Sequence, residues 1–75
     1  PIFMGQGATD LQVSVADAEA IKAAQPRAAL TIWDGVNHVL KLAPAERTAN
    51  IATYMDPALP LAPGVVETVA DFILK

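Results

Sequence analysis

The 75-residue sequence has no cysteine and a single histidine. A disulfide framework, a thiolate zinc site and a multi-histidine metal site are excluded, and with them the usual supports of very small domains. Basic residues are also sparse: five Lys and Arg against eight Asp and Glu give a net charge of −3. No basic patch can follow a phosphate backbone, which argues against nucleic-acid binding. Long apolar runs are missing too. Although 53 % of the residues are apolar, above the roughly 45–50 % usual in soluble domains, Gly and Pro break them into segments much shorter than a membrane span. Pro1 opens directly into strand-like residues, without the charged n-region or cleavage site of a signal peptide. The expectation is that polypeptide precedes it and would carry any targeting signal. The absence of cysteine slightly favours a cytoplasmic setting and does not fix one.

What is present reads as alternating strands and helices. Residues 1–7 form a nearly continuous apolar run ended by Gly5, Gly7 and Asp10, the pattern of a central parallel strand buried on both faces. Ser14 can cap a helix over residues 15–24, with Asp17 and Glu19 at its positive end and Pro26 beyond it. The face built on Ala18, Ile21 and Ala24 would let that helix lie close to a sheet. Residues 28–33 read as a second strand, bounded by the Asp34-Gly35 turn signal. Residues 42–63 are irregular, with a short helix possible over 45–53 and with Asp56-Pro57, Pro60 and Pro63 imposing extended or turning backbone. Finally Val65, Val66, Val69, Phe72 and Ile73 recur at helical spacing opposite Glu67, Thr68 and Asp71, which predicts an amphipathic helix over residues 64–74 that covers one sheet face.

Strand, helix and strand make a βαβ unit, right-handed in about 98 % of cases. The fold class is therefore α/β. Two parallel strands leave both outer edges unpaired, and two helices cannot cover both faces of even so small a sheet. Further strands are expected from upstream sequence, a second chain or a self-associated copy, of which the first is simplest.

That topology brings two chemically useful residues to one edge. Asp10 follows the first strand and His38 the second, and the carboxyl ends of parallel strands are where open α/β sheets bind ligands. A histidine acting as general base needs a carboxylate on its other ring nitrogen and a water-accessible position. Asp10 and His38 meet both conditions and read as half of a catalytic triad. The competing reading makes Asp10 a turn former and His38 a polar loop residue. Asp34 competes as the partner of His38, but its Asp-Gly context favours a turn. A metal site on Asp10, Asp34 and His38 is formally open, with fewer ligands than such sites usually gather. Asn37 either positions the histidine loop or forms its turn. Trp33 favours the core over an acyl pocket, Tyr54 stays open between the two, and Lys41 and Arg47 read as solvated charges.

The stretch Gly7-Ala-Thr-Asp10-Leu-Gln-Val13, the 28-residue step to Gly35-Val-Asn-His38-Val-Leu-Lys41, and the final amphipathic helix resemble the C-terminal end of α/β-hydrolases, especially bacterial esterase, lysophospholipase and serine-aminopeptidase-like members. The similarity covers essentially the whole chain. It implies that residues 1–75 are the C-terminal segment of one such domain, a βαβ-α part of its parallel sheet, with Asp10 as the triad acid and His38 as its base. It further implies acyl transfer by an upstream serine on a Gly-x-Ser-x-Gly elbow, a small-molecule ester or amide substrate, and no cofactor. The only serine here, Ser14, lacks flanking glycines and reads as a helix cap, so the segment alone is expected to be inactive. Amide hydrolysis, dehalogenation and perhydrolysis remain alternatives on the same fold, because function belongs to the site. So do a hydrolase-like binding protein without a nucleophile, and a small protein that pairs its open edges with itself or a partner. Oligomeric state is left open.

Overall fold

The computed structural model describes residues 1–74. The elements follow in the order β1 (Phe3–Gly7), α1 (Val15–Ala24), β2 (Ala29–Trp33), α2 (Arg47–Ala52), a single 3-10 turn (Thr53–Met55) and α3 (Val65–Leu74). β1 and β2 pair in parallel, with Phe3 opposite Ala29 and Gly7 opposite Trp33. The described residues thus form an α/β structure with a two-stranded parallel sheet and three α-helices.

Each boundary has a local cause. α1 starts at a capping box: Ser14 Oγ accepts from Asp17 N at 3.2 Å, and Asp17 Oδ2 accepts from Ser14 N at 3.3 Å, so the two residues hold each other's amides reciprocally. At its other end Lys22 Nζ donates to the carbonyls of Pro26 and Ala28 and ties the helix to the start of β2. α2 is shorter than the 45–53 span expected, because Glu46 serves as its cap, accepting from Thr48 N at 3.1 Å and Ala49 N at 2.7 Å. The Ala49 amide, followed by that of Thr48, holds the Glu46 carboxyl below its ordinary range.

α3 lies across the sheet face that carries Phe3 and Trp33. Phe3 packs on Phe72 with ring centroids 5.3 Å apart, and Trp33 Nε1 donates to Thr68 Oγ1 at 3.4 Å. Trp33 also packs against the small core of Val36, Ala62 and Val65, which makes it a core residue. Burying each of the two valines contributes roughly 1.5–3 kcal/mol.

Two expectations are corrected. On α1 only Ala18 of the proposed packing face is buried, while Ile21 is 56 % exposed; a close approach at Ala18 leaves the longer side chain beyond the two strands. β1 is half-buried rather than covered on both faces, since Phe3 and Met4 are intermediate and Gly5 is exposed. The outer edges of β1 and β2 have no strand partner among the described residues.

β1 and the segment after β2 approach closely at Gly7. A Cβ there would overlap the backbone carbonyl of Val36, and that backbone is held by Thr9 N donating to Val36 O at 3.0 Å. Gly7→Ala is expected to destabilise the protein by about 2–3 kcal/mol, the usual cost of overpacking against groups that cannot swing away. An unchanged urea midpoint would remove this close approach from the account.

Candidate active site

The loops after β1 and β2 form the site. The first is docked backbone to backbone on the second: Ala8 N donates to Trp33 O at 2.9 Å, and Thr9 N to Val36 O. Three residues past Gly7, Asp10 folds its carboxylate over the chain that follows. Its Oδ1 accepts from Gln12 N at 2.8 Å and Val13 N at 3.0 Å. The turn-forming and functional readings of Asp10 are therefore not exclusive, for its two oxygens are divided between them. Oδ2 lies 2.9 Å from His38 Nδ1 and 3.5 Å from Gln6 Nε2, a buried amide also donating to Val13 O at 2.8 Å.

The histidine loop is a tight excursion between Val36 and Leu42, which form an isolated antiparallel bridge. Asn37 N donates to Lys41 O, and Ala43 N to Gly35 O. Leu40 takes a left-handed backbone with φ 64°, uncommon for a residue with a branched side chain. Its side chain reaches the Val36, Ala62 and Val65 core, and its carbonyl accepts from Ala62 N at 2.8 Å.

Burial and exposure are divided unequally across the pair. The Asp10 side chain is 7 % exposed and that of His38 41 %. Burial by itself would raise the Asp10 carboxyl, but the Val13 amide, the His38 ring and the Gln12 amide together outweigh it and hold the group below its ordinary value. Asp10 is therefore a carboxylate at neutral pH. A carboxylate can only accept, so His38 Nδ1–H is the donor in this bond, and the tautomer of the neutral ring that this bond favours is the one with its free lone pair on Nε2. The His38 ring is half-open to solvent. This is the arrangement a general base requires.

The other residues singled out from the sequence fall into place around the pair. Asp34 is exposed in the turn before Gly35, whose φ is 67°, and the carboxylate paired with His38 is that of Asp10. No group of three or more His, Cys, Asp or Glu suited to a metal occurs among the described residues. Tyr54 OH accepts from Gln12 Nε2 at 3.1 Å, which ties the 3-10 turn to the acid loop. Arg47 is exposed, as expected. Lys41 is not simply solvated: its Nζ donates to Thr53 O at 3.2 Å and Asp56 O at 2.6 Å, at the carbonyl end of α2 and the turn beyond it. The negative end of a helix attracts a cation in this way.

Asn37 is fully buried and does both things considered for it. Its Oδ1 accepts from Val39 N at 3.2 Å and Lys41 N at 3.1 Å and so forms the turn. Its Nδ2 donates to Thr53 Oγ1 at 2.6 Å and to Asn50 Oδ1 at 3.3 Å and so braces the loop. Asn50, also fully buried, went unread in the sequence; a polar residue at a helical position among Ala and Ile is the one signal that pointed to it. An apolar groove of about 390 Å³ runs along α3 between Leu40, Leu61, Val65, Val69 and Ile73. It is lined by neither Asp10 nor His38. No helix among the described residues is long and apolar enough to cross a membrane.

No protein-family model, no curated protein and no solved structure matches the chain.

Proposed function

We propose that this chain supplies the acid and the base of a Ser-His-Asp serine hydrolase of α/β-hydrolase type that cleaves carboxylic esters. The observation that carries the reading is the 2.9 Å contact between His38 Nδ1 and a nearly buried Asp10 carboxylate, made across the carboxyl ends of two parallel strands. The serine and the oxyanion donors come, in this reading, from polypeptide preceding residue 1. The outer edges of β1 and β2, which have no strand partner among the described residues, support further covering structure, since unpaired edges of a parallel sheet call for neighbours.

In the reaction His38 Nε2 accepts the serine proton as the serine oxygen bonds to the ester carbonyl carbon. Asp10 stabilises the imidazolium without taking its proton. The imidazolium then protonates the departing alkoxide, and water repeats the sequence to release the acid. Ser14 is not the nucleophile, because its Oγ is engaged as the α1 cap.

A fluorophosphonate, which phosphonylates activated serines, tests the proposal on the complete polypeptide. The expected result is one adduct by intact mass, on a serine other than Ser14 and lost in His38→Ala. No adduct in the wild type would overturn the hydrolase reading in favour of a binding protein.

A further inference from the structure

We propose that Asn50 is a positioning residue for the acid–base pair, linking the loop that carries Asp10 to the loop that carries His38 through Asn37. The inference rests on the triad reading of that pair.

The His38 ring is half-open to solvent, and its contact with Asp10 is the hydrogen bond seen for it. Its place is therefore set by the backbone of its own loop. That backbone is held from inside by Asn37, the residue immediately before it, whose Nδ2 reaches Asn50 Oδ1 and, at 3.4 Å, Asn50 O. The same Asn50 side chain turns its Nδ2 the other way. It donates at 2.8 Å to Thr9 O, the residue immediately before Asp10, and at 2.8 Å to Pro44 O. One buried amide thus accepts from the neighbour of the base and donates to the neighbour of the acid. Thr53 Oγ1 closes the network by donating to Asn50 O at 2.8 Å while accepting from Asn37 Nδ2.

The local needs of α2 do not account for this residue. Asparagine is a weak helix former, and in a helix of six residues a buried apolar side chain would pack without any demand for partners. Buried amides are tolerated when every donor and acceptor is matched, and such networks hold one arrangement of the chain. Together with the backbone bond from Thr9 N to Val36 O, this arrangement sets how the Asp10 loop stands against the His38 loop.

The test measures the dyad first and activity second, in the complete polypeptide. The His38 Nδ1 proton, assigned by its loss in His38→Ala, is expected as a downfield resonance in 15N-edited spectra. In Asn50→Ala that resonance should broaden or disappear. The kcat on p-nitrophenyl butyrate should fall roughly 30- to 100-fold with KM little changed, as expected for misplacement of a reacting group by less than an ångström or so. Thr53→Val keeps the Asn50-to-Thr9 bond and removes one anchor of Asn37, and should give a smaller loss, roughly 3- to 10-fold. A lower melting temperature in Asn50→Ala with the resonance and kcat intact would overturn the proposal and leave Asn50 a structural residue. If Asn50→Ala fails to fold, Thr53→Val decides, and wild-type kcat and resonance there would overturn it. Should His38→Ala retain full activity, the triad reading fails instead, and the resonance alone judges the link: its loss in Asn50→Ala supports the link, and its persistence refutes it.

Discussion

Replacing His38 with alanine in the complete polypeptide is expected to lower kcat/KM on a short p-nitrophenyl ester by about 10⁴- to 10⁶-fold, with little change in thermal stability. Triad members act as a unit, so loss of the base removes most of what the nucleophile and acid contribute with it. A 10⁵-fold loss corresponds to about 7 kcal/mol of transition-state stabilisation, far more than an exposed imidazole contributes to folding. The separation of the two effects is the diagnostic point. His38 is 41 % exposed and its side-chain hydrogen bond is the one to Asp10, so the expected structural effect is small beside the catalytic one. Steady-state kinetics beside a melting curve measure both, and retained turnover would remove His38 from the mechanism.

The second large effect is expected at Asp10. In Asp10→Asn the oxygen that accepts from the Gln12 and Val13 amides can be kept, while the atom facing His38 Nδ1 becomes an NH2 donor. The imidazole must then offer Nδ1 as acceptor and carry its proton on Nε2, where it cannot accept one from a nucleophile. A loss of roughly 10³- to 10⁴-fold in kcat is expected on that ground, with the loop still folded. Asp10→Ala, which also deprives the two amides of their acceptor, should lose comparable activity and in addition stability. The pH dependence follows from the lowered Asp10 carboxyl. A carboxylate whose folded value lies below its unfolded value, about 3.9, contributes stability that is fully present above that unfolded value. The contribution is lost as pH falls through the folded value. Asp10→Asn should therefore flatten the acid limb of the stability curve below about pH 4 and leave the neutral region's slope unchanged. Activity equal to wild type in Asp10→Asn would contradict the assignment.

The strands, the first helix and the last helix were legible because each carries its own signal. Ser14 with Asp17 marks the start of α1, the Val- and Phe-rich spacing marks α3, and parallel pairing of β1 with β2 follows from the helix between them. The pairing of Asp10 with His38 was legible for a different reason: topology, not local pattern, puts the ends of adjacent parallel strands together. Its catalytic role remains a proposal of chemistry rather than of position.

What escaped depends on partners far along the chain. Asn50 meets Thr9 across 41 residues, in a segment where periodicity is silent. Lys41 looks like any surface charge until the carbonyls of Thr53 and Asp56 are brought beneath it. Leu40 adopts a backbone that a reading of residue types assigns to glycine or asparagine; its contact with the Val36 and Val65 core offsets the strain. The exposed face of α1 was misread because the spacing of Ala18, Ile21 and Ala24 says which residues share a side, and not how wide the sheet beneath them is.

The contact between acid and base also has a place in time. Asp10 and His38 are 28 residues apart and meet through a single crossover, so the chain closes a short loop to join them, and each doubling of such a loop adds only about 0.6 kcal/mol of closure entropy. The closure joins a parallel pair through a non-local contact, which forms more slowly than the local contacts of the helices. A nucleophile delivered by distant polypeptide would arrive by slower, longer-range closure. On the triad reading, the proton-handling half of the enzyme is thus assembled within one crossover unit, and its docking against the rest of the sheet is the step at which hydrolytic activity begins.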